Sequence, residues 1–88
     1  MKHAEAEAAL VAVSDVRRLA ATGDARSIRE TANLSIGEVA RSLGVSHATL
    51  SHWERGIKRP TGEAALRYYR LLHALDRSSM RPLVNHRR

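Results

Sequence analysis

The sequence predicts an all-α domain of four to five helices, and three observations carry that prediction. No stretch alternates apolar and polar residues over more than a few positions, so strands have no pattern to follow. Apolar residues recur instead at spacings of three and four, the period of one helix face. Short segments open on Ser, Thr or Asp and close on Gly, the punctuation of short helices. The 88 residues are 43% apolar, enough for one small core.

Residues 1–23 read as a unit of their own. Residues 4–22 are Ala-rich and place Leu10, Val13, Val16 and Leu19 at three-residue steps, an amphipathic helix stopped by Gly23. Asp24 is placed to cap a second helix through residue 32, with Ile28 and Ala32 inward. Ser35 opens a third helix, and Glu38 completes a Ser-x-x-Glu capping box. Gly44 ends it after two turns; Ser46 then caps a fourth helix that Gly56 closes. After a loop at 57–60, Thr61 caps a last helix through residue 76, which buries some of Ala65, Leu66, Tyr69, Leu72 and Leu75. Residues 24–76 thus form the main domain. The tail at 77–88 has no acid and one Pro, and is expected to order only against a partner.

Charge is distributed unevenly. Of the net +6, residues 1–30 contribute nothing, 31–60 contribute +2 and 61–88 contribute +4. A basic middle and C-terminal part suits a polyanionic partner. No apolar run approaches the ~18 residues that cross a bilayer, and two Glu precede the first apolar run, unlike a secretory leader. There is no Cys for disulfides or thiolate metal sites. The expected location is the cytoplasm, on the nucleoid, or the host cytoplasm for a phage-encoded chain.

The twenty residues at 36–55, IGEVARSLGVSHATLSHWER, have the pattern of a helix-turn-helix. Two short helices that cross closely need a small residue at the fifth position, here Ala40, and a turn that tolerates positive φ at the ninth, here Gly44. Val39, Leu43, Val45, Leu50 and Trp53 form the apolar seam. The second helix has an unusual outer face: His47, Ala48, Ser51, His52 and Arg55 fall on one side, opposite Val45, Leu50 and Trp53. Short hydrogen-bonding side chains there, rather than Lys and Glu, call for a partner.

From about residue 26 to residue 75 the chain resembles the phage-repressor and Cro-like (XRE-type) helix-turn-helix family, a compact lambda-repressor-like fold. LSIGEVARSLGVS and LSHWERGIKRPTGEAAL carry that resemblance. It implies binding of double-stranded DNA by a homodimer, with the second motif helix in the major groove. By the same resemblance His47, Ala48, Ser51 and His52 read bases, with donors and acceptors for base edges and a methyl for thymine. Charging His47 and His52 would favour guanine acceptors or phosphate. Arg55, Lys58 and Arg59 would grip phosphate, with hydroxyl contacts from Ser46 and Thr49. Arg29 and Glu54 match an ion pair of the family, Arg29 being shared with a phosphate. Where relatives often place Gln, this chain has Ile36, so that clamp is either absent or replaced by the Ser35 hydroxyl and backbone N–H groups.

Other chemistry is not called for. Trp53 lies on the inward face and reads as core. His47 and His52 stand five apart, off the i, i+4 geometry of a helical zinc pair, and His3, His73 and His86 share no ligand spacing. Ser51 and His52 are adjacent and point apart, so no catalytic arrangement, metal or cofactor is expected. The function expected is that of a transcription regulator of the repressor type. The alternatives are an antitoxin-type autorepressor with a protein partner on the N-terminal helix or the tail, a phage architectural or recombination-directionality factor, and a protein-interaction adaptor.

Overall fold

The structure, a computed structural model, describes residues 2–80. Five helices follow one another: α1 (His3–Thr22), α2 (Asp24–Thr31), α3 (Ile36–Leu43), α4 (His47–Glu54) and α5 (Gly62–Met80). There is no strand among the described residues. The all-α expectation holds.

Local chemistry sets the ends of the short helices. The Ser35 Oγ accepts the Glu38 N–H at 3.0 Å, and the Ser35 N–H donates to Glu38 Oε1 at 2.9 Å. That N–H, together with the Ser35 hydroxyl, holds the Glu38 carboxyl below the usual carboxylate range. Ser46 accepts from the Thr49 N–H at 3.0 Å and so starts α4. Gly44, at φ 73°, turns the chain between α3 and α4; a side chain there would be strained in this left-handed conformation. Between α2 and α3 the same role falls to Asn33, at φ 66°.

Three expectations are corrected. Asp24 does not cap α2 but is its first residue. Gly23, at φ 92°, ends α1 and supplies the carbonyl that accepts the Ser27 N–H, so the two helices abut with one residue between them. The inward stripe of α1 is Ala12, Val16 and Ala20, flanked by half-buried Val13 and Leu19, while Leu10 is 69% exposed. The reason is angular: steps of three fall about 60° short of a full turn each time, so Leu10 lies opposite Leu19. Finally, α5 does not stop at Asp76 but runs to Met80, since neither Gly nor Pro interrupts residues 63–80. Residues 81–88, most of the expected tail, lie outside the described residues.

The core forms where α1 lies against α5 and α2, with α3 and α4 closing the other side. Val16, Ala20, Ala25, Val39, Ala40, Leu43, Leu50, Trp53, Ala65, Tyr68 and Leu72 are buried together. Small Ala residues on α1, α2, α3 and α5 let the backbones approach, and one aromatic pair fills the space they leave. Trp53 and Tyr68 stack with ring centroids 5.2 Å apart. Trp53 is therefore core, as its inward position predicted, but the buried tyrosine of α5 is Tyr68 rather than Tyr69. Tyr69 is half-buried and leans on His73, whose Nε2 lies 2.9 Å from Asp15 Oδ2 and ties α5 to α1.

The Tyr68 hydroxyl is buried without a hydrogen-bond partner among the described residues. Burial pushes its acidity down, raising its pKa well above the ordinary phenol value. Because a buried unpaired hydroxyl costs about 1–3 kcal/mol, Tyr68→Phe is expected to leave the domain at least as stable as the wild type in urea denaturation. A clear loss of stability would mean that the hydroxyl is bonded in solution.

Candidate nucleic-acid interface

Helix α4 is held from behind and presents its other side. Leu50 and Trp53 are buried beneath it. On its other side His47 and Ala48 are exposed and Ser51 and His52 half-exposed, with half-exposed Thr49 on the flank beside Trp53. Arg55, Lys58 and Arg59 follow on the exposed turn and loop. The Ile57 and Lys58 N–H groups both donate to the His52 carbonyl, at 2.9 and 3.3 Å, which folds that loop back on the end of α4. The four expected base-reading residues and three expected phosphate-binding cations thus lie exposed or half-exposed on α4 and on the turn and loop that follow it.

Arg29 stands apart from the other cations. Its side chain is only 10% exposed and that of Glu54 only 4%. Its Nε donates to Glu54 Oε2 at 2.6 Å and a terminal nitrogen to Oε1 at 2.9 Å, a bidentate fork. The other terminal nitrogen donates to the Leu34 carbonyl at 2.9 Å. One guanidinium therefore joins α2, the turn before α3 and the C-terminal end of α4. The hydrogen bond to Glu54 is the main reason its pKa is raised, with burial opposing. In this arrangement Arg29 sets the pose of α4, and little of it faces outward for a phosphate.

The Ser35 and Ser46 hydroxyls are exposed, yet each is engaged in its own cap, and the Ser46 hydroxyl also lies 2.9 Å from that of Thr49. Near the start of α3, Gly37 sits between Ser35 and the start of α4. A Cβ there would stand 3.8 Å from Ser35 Oγ and 4.0 Å from the His47 ring. Thus the starts of α3 and α4 come together, with Ser35, Gly37 and His47 at one edge of the exposed surface. Ile36, where relatives often have Gln, is half-buried and packs against the core.

Two supports were not visible in the sequence. Arg17 on α1 donates through Nε to the Pro60 carbonyl at 2.8 Å, bracing the loop that carries Lys58 and Arg59. Arg67 on α5 donates to the Leu43 carbonyl at 3.1 Å, satisfying the end of α3 beside the Gly44 turn. Each joins residues more than twenty positions apart, and no local pattern announces such a pairing.

A tight α3–Gly44–α4 unit on a small helical core, with its second helix exposed along one polar face, defines a helix-turn-helix protein. The chain belongs to the helix-turn-helix domain family, which matches it over residues 23–83. It is also 49% identical over 49 residues to a protein of Methanocella arvoryzae (strain DSM 22066 / NBRC 105507 / MRE50), provisionally named an HTH-type transcriptional regulatory protein. That stretch covers 56% of this chain and 15% of the relative, so the chain spans only a small part of the relative's length. No solved structure matches the chain. Helix α1 precedes the matched region entirely.

Proposed function

We propose that this chain is a sequence-specific, double-stranded DNA-binding transcription regulator, a repressor of the phage-repressor and Cro-like subtype. The observation that carries the reading is the fixed presentation of α4. Its inner face is buried, its end is locked by Arg29 and Glu54, and its outer face offers His47, Ala48, Ser51 and His52. A recognition helix must hold its base-reading side chains in a set register, and this anchoring does so. Arg55, Lys58 and Arg59 then contact phosphate, while Arg29 positions α4 from behind. The caps leave Ser35, Ser46 and Thr49 able to donate or accept at the rim. Two copies would read half-sites one turn apart, about 34 Å.

Selection of bound sequences from a random duplex library tests the reading. An enriched inverted repeat supports a dimeric regulator. Binding without enrichment would instead favour an architectural factor, and no binding at low salt an adaptor.

Arg59→Ala is expected to weaken binding to all sequences alike and to reduce the salt slope of log affinity by about one. Titrations at several salt concentrations check this. An unchanged slope removes Arg59 from the phosphate contacts.

A further inference from the structure

Helix α1 carries large apolar side chains on the side away from the core. Leu10 and Val11 are 69% and 64% exposed, while Ala12, Val16 and Ala20 face inward. Along the outer side, Ala4, Glu7, Val11, Ser14, Arg18 and Ala21 recur at alternating steps of three and four, and all six are exposed. That spacing is the one by which two helices mesh side by side, here with small and charged side chains around Val11. Leu10, Val11, Ser14, Asp15 and Arg18 together line one shallow concavity on this face.

We propose that this face is the contact between two copies of the chain, with the two α1 helices packed antiparallel. The inference rests on the homodimer reading given above and adds to it the surface and the orientation. The charges choose the orientation. In parallel register Glu7 would meet Glu7 and Arg18 would meet Arg18 across the seam, and both pairs repel. Run antiparallel about a centre between Val11 and Ser14, the same six residues become complementary. Ala4 meets the partner's Ala21, Glu7 meets the partner's Arg18, and Val11 meets the partner's Ser14.

Two of these layers are made of small side chains, which lets the helices approach closely along the roughly 30 Å that 20 residues span. Arg18 already pairs with Asp15 of its own helix, but a guanidinium has five N–H donors and can serve the partner's Glu7 as well. Glu7 and Arg18 in mid-seam also set this face apart from one that would bury in lipid. Through Arg17 and the Pro60 carbonyl, a two-fold contact at α1 would fix the two DNA-contacting loops relative to each other.

Sedimentation equilibrium of the full chain without DNA tests the proposal. Glu7→Arg and Arg18→Glu are each expected to raise the dimer dissociation constant about tenfold or more, because each puts like charges into two symmetric layers. The double variant Glu7→Arg/Arg18→Glu is expected to dimerise as the wild type does, since the exchanged pair still meets its opposite. All substitutions are at exposed positions, and far-UV circular dichroism checks that the helices persist. Single variants that dimerise like the wild type overturn this face but leave a dimer through another surface intact. A double variant as weak as the singles overturns the antiparallel register. A wild-type chain that is monomeric overturns the contact, and sequence-selective binding to a single half-site would then show that DNA recognition stands without it.

Discussion

Glu54→Ala is expected to destabilise the domain by about 3–5 kcal/mol, the usual cost of breaking a buried ion pair by removing one partner. The reason lies in what is left behind. With the carboxylate gone, the Arg29 guanidinium keeps its charge in a site that leaves its side chain only 10% exposed, with the Leu34 carbonyl as its hydrogen-bond acceptor and the half-exposed Glu30 carboxylate 4.0 Å away as a weaker partner. An arginine cannot lose its proton to escape the site. For a domain of this size 1 kcal/mol corresponds to about 4–8 °C, so the melting temperature should fall by more than about 12 °C. Thermal denaturation followed by circular dichroism reads this directly.

The double variant Arg29→Met/Glu54→Leu separates two explanations. It removes both charges and fills the space, and it should regain most of the loss, because the penalty comes from the orphaned charge. A double variant as unstable as Glu54→Ala would show that the pair itself holds the fold together. By contrast the exposed pair of Arg26 and Glu30, 3.0 Å apart with both side chains more than half exposed, should matter by less than about 0.5 kcal/mol. Position, not the number of ion pairs, decides the effect.

The contrast between these pairs also shows what a sequence discloses. Helices α3 and α4 were legible almost to the residue because their ends are written in local chemistry. Ser35 with Glu38, Gly44, Ser46 and Gly56 each act within a few positions of themselves. The inward face of α1 was not, because its buried positions are Ala12 and Ala20. Small side chains give no apolar signal, and the larger Leu10 and Val11 point outward. The choice of Tyr68 over Tyr69 depends on where Trp53 sits, and the grip of Arg17 on the Pro60 carbonyl on how α1 returns to the domain. The pairing of Arg29 with Glu54 came from family resemblance; residue spacing alone would not join positions 29 and 54. For the residues expected to face DNA the helical period supplied the shared face. Which of them are half-buried, as Ser51 and His52 are, is set by the tertiary fold and not by the helical period.

That difference in depth bears on the second large effect. Ser51 and His52 lie midway along the outer face of α4 and are half-exposed, whereas His47 and Ala48 stand exposed in its first turn, His47 near the start of α3. Each good base contact is worth ~1–3 kcal/mol of discrimination, so Ser51→Ala/His52→Ala together should lower affinity for the selected site roughly a hundredfold. Affinity for random duplex should change little, since phosphate contacts supply that term and the proposed reading assigns them chiefly to Arg55, Lys58 and Arg59. Stability should change little too, because neither residue belongs to the buried core. Competition titrations of both DNAs against the same protein measure the two affinities side by side. Equal losses on the two would mean that Ser51 and His52 act through the helix or the backbone of the DNA and not through base edges. A loss confined to the selected site would assign sequence reading to the centre of α4. Lys58 and Arg59 would then account for the affinity shared by all sequences, and Arg29 with Glu54 for the pose that lets the two act together.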